Sequence, residues 1–352
     1  MSITQKTLDL SAQGHNGAIT CIPTGIPKYD EYLYGIRQGT LINFLAETSV
    51  GKTSFSRDVY FHRAYEYFKQ INNPELIDIE LVDYSLEISP EINTAGAIIR
   101  KAFVDYQQVI SLAQFFKWGD NRLSEDQARL VNSYKEYFEE FENKLKVYDG
   151  EVSPTYFHDT MMEVAKRNGT FEREGRWISE CGKYTPHNPK KFVIVLFDTV
   201  NIAETDSGHT TAKSSIDRIS RLSVLFRNRC NFTIILLQQI SAEIASTDRA
   251  RFGITTPILR DAEDSRRPGK DANIVLALYD PLRHLKDDQT TFKGYNMDIL
   301  RNWIKTLHIL KHREGVINKF IPLKSHGVIP YYEQLPEANQ MTEQDYVLST
   351  RH

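Results

Sequence analysis

The residues with the clearest chemistry form a loop between a short apolar run and a helical pattern, Ala46-Glu-Thr-Ser-Val-Gly51-Lys52-Thr53. Backbone N–H groups at the start of a helix bind anionic phosphates, and a glycine such as Gly51 lets the chain approach closely. The Lys52 ammonium reaches the β- and γ-phosphates, and the Thr53 hydroxyl coordinates Mg²⁺. The spacing departs from the usual pattern at Ala46, where a glycine is expected. It predicts a nucleotide site built from Ser49, Val50, Gly51, Lys52, Thr53 and Ser54.

Two carboxylates stand where strands are expected to end. Asp198 follows the apolar run Phe192–Phe197, and an acid in that position polarises water on Mg²⁺. Glu87 follows the run Ile77–Tyr84, at the edge of the sheet where α/β proteins bind ligands. A carboxylate there can orient and deprotonate an attacking water. Each acid alone could simply end a strand, but beside the phosphate loop they indicate a nucleotide-hydrolysing site.

The elements that position these groups alternate between apolar runs and helical patterns. Uniformly apolar runs suit strands that are buried on both faces of a parallel sheet. The predicted strands are Leu41–Leu45, Ile77–Tyr84, Phe192–Phe197, Thr233–Leu237, Ala272–Leu278, Leu307–Leu310 and Lys319–Leu323. The alternation predicts an α/β fold with a mostly parallel central sheet flanked by helices.

Three helices have clear start signals or clear apolar faces. One begins with a capping box at Ser124 and presents a single apolar face from Leu130 to Leu145. A second begins at Ser153, which precedes a first-turn proline. A third carries Ile216, Ile219, Leu222 and Phe226, directly before the strand at Thr233.

Composition limits the class of protein. The 352 residues include 43 Lys and Arg and 46 Asp and Glu, a formal charge of −3, which excludes a uniformly basic, histone-like surface. The three cysteines lack metal-ligand spacing, and no apolar run is long enough to span a membrane. With no export signal visible, a cytoplasmic protein is expected. We predict an arm at 1–20, one domain at 21–330 with a surface insertion at 166–191, and a tail at 331–352.

Taken in order, these motifs resemble the hexameric replicative DNA helicases of the DnaB type, a branch of the RecA-like ATPases. The resemblance covers most of residues 22–325, and that family also accepts alanine in the position of Ala46. About twenty residues precede this region, so the family's N-terminal helical domain is not expected. The matching segments are Thr24-Gly25, Asp30, Gly35, Gly39, Ser49 to Thr53, Ser85-Leu86-Glu87-Ile88, Gln239, Asp271-Ala272-Asn273 and Lys311-His312-Arg313-Glu314-Gly315.

The resemblance implies a role for each matched residue and a RecA-like P-loop core. Glu87 is implied as the catalytic base, and Gln239 as the sensor of the γ-phosphate. Arg313 is implied as an arginine finger with Lys311 as its companion, both reaching the nucleotide of the next subunit. ATP and Mg²⁺ are the implied cofactors, and translocation is expected in the 5′-to-3′ sense.

Two loops, roughly 204–215 and 241–271, are implied to hold single-stranded DNA. The cations expected to contact phosphates are Lys213, Arg249, Arg251, Arg266, Arg267 and Lys270. Acids are equally frequent in the second loop, so counting charges does not show a basic patch. The family's Leu-Arg-Glu-Ser-Gly is here Ala262 to Arg266, which places Glu263 where the arginine is expected. A solvated charge run is nearly as good an interpretation for any single residue.

The expected partners are single-stranded DNA, further copies of the chain in a ring or spiral of six, and a primase or loader protein. Replication of a phage or mobile element is the expected setting, and no membrane contact is expected. Two alternatives stay open. One is a RecA-like recombination ATPase that forms filaments. The other is a non-catalytic, helicase-like subunit that binds nucleotide only to assemble.

Overall fold

A nine-stranded sheet forms the centre of the part of the chain that the computed structural model describes, residues 2–15, 17–206, 210–246, 249, 255–285 and 289–351. The strands are β1 (Cys21–Ile22), β2 (Ile36–Arg37), β3 (Leu41–Ala46), β4 (Asp78–Ser85), β5 (Leu145–Tyr148), β6 (Gly169–Phe171), β7 (Tyr184–Pro186), β8 (Lys191–Asp198), β9 (Thr233–Gln239), β10 (Ile274–Tyr279), β11 (Thr291–Phe292), β12 (Tyr295–Asn296), β13 (Ile304–His312), β14 (Lys319–Ser325) and β15 (Tyr332–Gln334).

The helices are α1 (Ile3–His15), α2 (Pro27–Leu33), α3 (Lys52–Arg57), α4 (Arg63–Ile71), α5 (Pro90–Tyr106), α6 (Leu112–Phe115), α7 (Glu125–Ser133), α8 (Lys135–Glu142), α9 (Pro154–Asn168), α10 (Ala212–Cys230), α11 (Arg267–Asp271), α12 (Met297–Leu300) and α13 (Glu343–Ser349). A π-helical turn, Asp58–His62, joins α3 to α4. Among the described residues, no helix is long and apolar enough to cross a membrane.

The order of strands in the large sheet is β15-β14-β13-β10-β3-β9-β8-β4-β5. From β10 to β5 every neighbouring pair is parallel, and the remaining three pairs are antiparallel. One face packs against the helices from α3 to α8 and the other against α9 and α10. The predicted α/β fold with a mostly parallel sheet flanked by helices is therefore confirmed, and every predicted strand overlaps an observed one.

The single helix predicted from Leu130 to Leu145 is wrong. Helix α7 ends at Ser133, α8 follows it after Tyr134, and Leu145 begins strand β5. Strand β5 pairs with β4, with Leu145 opposite Leu81. Its side chains alternate in exposure, which is the period of an edge strand, whereas the apolar spacing before it suits a helix. The capping box at Ser124 is confirmed by its contacts with Gln127.

The predicted insertion, tail and N-terminal arm pack against the rest of the domain to different degrees. The predicted insertion contains the hairpin of β6 and β7 and packs through the buried residues Ile178 and Cys181. Strand β15, in the segment expected to be a tail, pairs with β14 and extends the sheet. Residues 3–15 form helix α1, in which Leu8 and most of the other described side chains are exposed.

A buried group of charges ties the π-helical turn to the end of the sheet. The carboxylate of Asp58 accepts hydrogen bonds from Arg63, from Arg100 and from the backbone N–H of Tyr332. Arg63 also donates to the carbonyl oxygen of Tyr332. Burial alone would raise the pKa of Asp58, but the two guanidinium groups outweigh it and lower that pKa. The network therefore fixes the backbone of Tyr332 from both sides.

The strand that carries Lys311, β13, also holds a neutral histidine. Burial, with a smaller effect of Lys293, lowers the pKa of His308 from 6.5 to about 3. The unfolded chain therefore takes up this proton first as the pH falls below 6.5, so protonation favours unfolding. We expect His308 to remove about 1.4 kcal/mol of stability per pH unit between pH 6.5 and 4. Urea unfolding of the wild type and of His308→Gln across this range measures it, and the variant should show the weaker pH dependence. Identical pH profiles would contradict this account.

Candidate nucleotide site and nucleic-acid groove

The phosphate loop lies between β3 and α3, with two residues in left-handed backbone conformations. Ser49 has φ +62° and Gly51 has φ +104°. A Cβ atom at Gly51 would also lie 2.2 Å from the hydroxyl of Tyr332. Glycine is needed here for both the backbone angle and the space, because a side chain would strain the first and fill the second.

The carbonyl groups of this loop are held from outside. The guanidinium of Arg283 donates to the carbonyl oxygens of Thr48, at 2.7 Å, and Ser49, at 3.1 Å. The hydroxyl of Tyr332 donates to the carbonyl oxygen of Gly51 at 3.3 Å. With these carbonyls engaged, the loop keeps one shape, which leaves the start of α3 directed at the cleft.

Lys52 lies between the two predicted carboxylates. Its Nζ is 3.8 Å from Oε1 of Glu87 and 4.0 Å from Oδ1 of Asp198, and its side chain is 7% exposed. Both distances exceed a hydrogen bond, so the ammonium is attracted to both acids without being bonded to either. A phosphate oxygen can therefore enter between them and take the ammonium as its partner.

The two acids meet because their strands pair in register. Ser85 at the end of β4 lies opposite Asp198 at the end of β8, and the N–H of Leu86 donates to the carbonyl oxygen of Asp198 at 2.9 Å. Glu87 follows directly. The predicted convergence of Lys52, Glu87 and Asp198 at one sheet edge is thus what the structure shows.

Asp198 is buried, and its Oδ1 has no hydrogen-bond partner within the described residues. A buried carboxylate oxygen left unpaired is costly, and a cation is the group that offsets that cost. The hydroxyl of Thr53 and this carboxylate are hard oxygen donors of the kind that Mg²⁺ prefers. The residues present therefore fit a magnesium ion.

Gln239 closes the same cleft at the end of β9. Its backbone N–H donates to Oδ1 of Asn201 at 2.8 Å, and its carbonyl oxygen accepts from the N–H of Glu263 at 3.0 Å. The cleft has a volume of about 780 Å³. Its lining includes Ser49, Val50, Gly51, Lys52, Thr53, Ser54, Glu87, Gln239, Asp280, Arg283, Lys305 and Tyr332.

Lys311 and Arg313 lie away from this cleft. Lys311 pairs with Val275, which lies opposite Asn43 near the start of β3, whereas the phosphate loop follows the other end of that strand. Arg313 lies further along, with its N–H bonded to the carbonyl oxygen of Asn273 at 3.1 Å. The structure therefore separates these two cations from the Lys52, Glu87 and Asp198 of their own chain.

Most of the predicted DNA-contacting cations surround one groove of about 560 Å³ between α10 and the segment before β10. Lys213, Arg266 and Lys270 are exposed there, while Arg267 pairs with Asp271 at 2.7 Å. The groove's lining also includes the acids Asp217, Glu243, Glu263 and Asp264. Its mixed charge matches the balance counted in the sequence.

Another predicted contact, Arg249, lies elsewhere. Arg249 is directed inward, where it is paired with Asp261 and donates to the carbonyl oxygen of Thr256 at 2.8 Å. These bonds occupy the guanidinium of Arg249 within the loop, so this residue is better suited to fixing the loop conformation than to contacting a phosphate. Arg251, also a predicted contact, lies outside the described residues.

Several residues of the cleft were not found from the sequence. Asp280 follows β10 at the same edge as Asp198, and it accepts a hydrogen bond from Lys305 at 2.6 Å. An acid after an apolar run was the available signal for it. Arg283 and Tyr332 carry no such signal, because Tyr332 is brought to the loop by a strand only three residues long.

Comparisons with known proteins point in one direction. No family model matches the chain. It is 24% and 23% identical, over 261 residues, to two curated replicative DNA helicases named DnaB from Helicobacter pylori strains, and it spans less than half of their length. Among solved structures, one ATPase domain superposes with a TM-score of 0.68 at 19% identity, covering 95% of this chain and 99% of that one.

A DnaB-like replicative helicase, solved in a study of its interactions with primase, superposes with a TM-score of 0.65 at 20% identity. It covers 95% of this chain, which covers 68% of that protein. The predicted resemblance to DnaB-type helicases and the predicted RecA-like fold are confirmed by these comparisons. The names of the two curated relatives favour the helicase branch over a recombination ATPase.

We expect Gly51→Ala to lower the affinity for ATP at least tenfold, because the new methyl group meets the Tyr332 hydroxyl and the residue keeps a strained backbone angle. The strain at such positions is about 1–3 kcal/mol. Titration with a fluorescent ATP analogue measures the loss. Gly150→Ala is the matched control, since nothing lies within 4 Å of the added carbon there. If the two variants bind the ATP analogue equally well, the Tyr332 hydroxyl does not constrain the loop at Gly51.

Proposed function

We propose that this chain is the ATPase domain of a DnaB-type replicative DNA helicase, which moves along single-stranded DNA as a ring or spiral, most simply of six copies. The names of its curated relatives support the proposal. The observation that carries it is spatial. Lys52, Glu87 and Gln239 line one cleft, and the buried Asp198 carboxylate lies 4.0 Å from Lys52. Lys311 and Arg313 lie at the other edge of the sheet.

Hydrolysis in the cleft assigns a task to each side chain. The start of α3 and the Lys52 ammonium bind the β- and γ-phosphates of ATP. The Glu87 carboxylate orients the attacking water and accepts its proton. Thr53 and Asp198 hold Mg²⁺, which when bound neutralises charge on the phosphates.

The cleft is completed by a neighbouring subunit. Arg313 and Lys311 reach the γ-phosphate held by the next copy, where an arginine supplied in this way is worth about 10³–10⁵ in rate. Gln239 contacts the γ-phosphate from within the subunit. The backbone of Gln239 is hydrogen-bonded to Glu263 at the rim of the groove, so a shift of Gln239 on loss of the γ-phosphate changes the position of the residues that bind DNA.

The groove lined by Lys213, Arg266 and Lys270 holds the phosphates of single-stranded DNA. Translocation runs in the 5′-to-3′ sense, and the protein acts in the cytoplasm with a primase or a loader, for a phage or a mobile element. Helix α1 would extend from the domain as an arm toward a neighbouring copy.

Lys52→Ala and Glu87→Ala should each reduce ATP hydrolysis to background, because the first loses phosphate binding and the second loses the base. Glu87→Ala should still bind ATP, whereas Lys52→Ala should bind it poorly. Hydrolysis with and without single-stranded DNA, and the assembly mass under the same conditions, measure this. Lys135→Ala, in a side chain exposed on α8, is the control. Absence of DNA-stimulated hydrolysis in the wild type would instead support the non-catalytic subunit.

Arg313→Ala should also abolish hydrolysis when present in every subunit. Mixing Arg313→Ala subunits with Lys52→Ala subunits should restore part of the activity, because some interfaces then combine an intact cleft with an intact arginine. Titration of one variant into the other at constant total protein measures the recovery. Full activity of Arg313→Ala alone, or no recovery on mixing, would contradict a shared site.

A further inference from the structure

The side chains of Lys311 and Arg313 rest on the carboxyl end of α11. Nζ of Lys311 donates to the carbonyl oxygens of Gly269, at 2.9 Å, and Lys270, at 2.8 Å. Nη2 of Arg313 lies 3.2 Å from the carbonyl oxygen of Lys270 and 3.4 Å from that of Asp271. The last carbonyl groups of a helix have no partner within it, so they attract cations.

Two side chains, the carboxylate of Asp271 and the guanidinium of Arg227, hold this helix end in position. Oδ2 of Asp271 accepts from Nε of Arg267 at 2.7 Å and from the hydroxyl of Ser220 on α10 at 2.9 Å. Arg227, also on α10, donates to the carbonyl oxygen of Asp271 at 3.3 Å and to Oδ1 of Asn273 at 2.7 Å. Moving the Asp271 carboxylate would therefore move the carbonyl groups that hold Lys311 and Arg313.

Three cations crowd around the same carbonyl groups. Burial, followed by the charge of Arg313, lowers the pKa of Lys311 and that of Arg227. Like charges held this close repel, and an added anion relieves that repulsion. Hydrogen bonds to these carbonyl groups orient the three side chains before any phosphate reaches them.

The amino-terminal side of α11 leads back to the cleft of the same subunit. The side chain of Gln238 donates to the carbonyl oxygens of Glu263, at 2.6 Å, and Ser265, at 2.7 Å. The hydroxyl of Ser265 in turn accepts from the N–H of Arg267 at 3.0 Å. The segment from Glu263 to Asp271 thus connects Gln239, in the cleft of one subunit, to Lys311 and Arg313, which are proposed to act in the cleft of the next subunit.

We propose that Arg267 and Asp271 are a positioning pair for Lys311 and Arg313, and that the segment 263–271 transmits the nucleotide state of one subunit to the cleft of the next. The inference rests on the proposed function, in which those two cations act on the neighbour's ATP. It also assigns Arg267 a task other than the DNA contact expected from its sequence position.

The test uses two kinds of subunit mixed in equal amounts, without DNA so that DNA contacts play no part. One kind carries Lys52→Ala and supplies only an intact Lys311 and Arg313. The other carries Arg313→Ala and supplies only an intact cleft. Adding Asp271→Asn to the first kind should lower kcat about tenfold or more and leave the KM for ATP unchanged, because a misplaced catalytic group costs rate.

Asp271→Asn in the subunits that supply the cleft should lower kcat much less, because those subunits already lack the Arg313 side chain. Asp271→Glu, which keeps a carboxylate, should recover part of the rate, and Arg267→Gln should reproduce the loss. Glu139→Gln is the matched control, because it breaks an exposed i,i+4 ion pair with Lys135 far from either site. Circular dichroism and the assembly mass confirm that each variant folds and assembles.

The possible negative results distinguish failure of the proposed function from failure of the positioning pair. If the two parent variants do not restore hydrolysis on mixing, the shared site itself is wrong and the proposed function fails. If they do, but Asp271→Asn lowers kcat equally in both placements or not at all, the positioning pair is overturned while the proposed function stands. A rise in KM with kcat unchanged would likewise overturn it.

Discussion

Parallel strands that share a register also end at the same edge, and this constraint assembles the candidate site from distant parts of the chain. The loop after β3, Glu87 after β4 and Gln239 at the end of β9 are separated by many residues, yet they line one cleft. Asp198, at the end of β8, lies beside them with its Oδ1 4.0 Å from Nζ of Lys52. Hydrogen bonding along each strand pair fixes their separation. A shift by one residue would turn the side chains at these ends to the opposite face.

Sequence reasoning found the elements whose burial is uniform and missed those whose position depends on packing. The buried strands are continuous apolar runs, so their order along the chain and the acids that follow them could be predicted. Strand β5 was missed because it comes directly after residues with helical spacing, and its first residue, Leu145, continues that spacing. Tyr332 and Arg283 could not be found, because short elements and loops carry them to the site and no local spacing marks that approach.

The buried carboxylate of Asp58 explains how the end of the chain takes part in the cleft. Short edge strands such as β15 are weakly fixed by pairing alone. Here Asp58 and Arg63 bind both backbone groups of Tyr332, so its ring is held over Gly51 and against Phe55. Uncompensated charges in such a position would be strongly destabilising, but each partner of this network satisfies the other. The predicted tail is thereby part of the nucleotide cleft.

The placement of the cleft and of Lys311 and Arg313 at opposite edges of the sheet restricts the symmetry of any assembly that uses both. A two-fold axis brings one patch against its own copy, so it could use both features only if the cleft and the cations lay in the same patch, and they lie at opposite edges of the sheet. Contact between unlike patches is head-to-tail, and it closes into a ring or continues as a helix according to the rotation between neighbours. Either product has two chemically different ends. On the proposed function, its polarity is therefore set by the subunit contacts before any DNA strand enters.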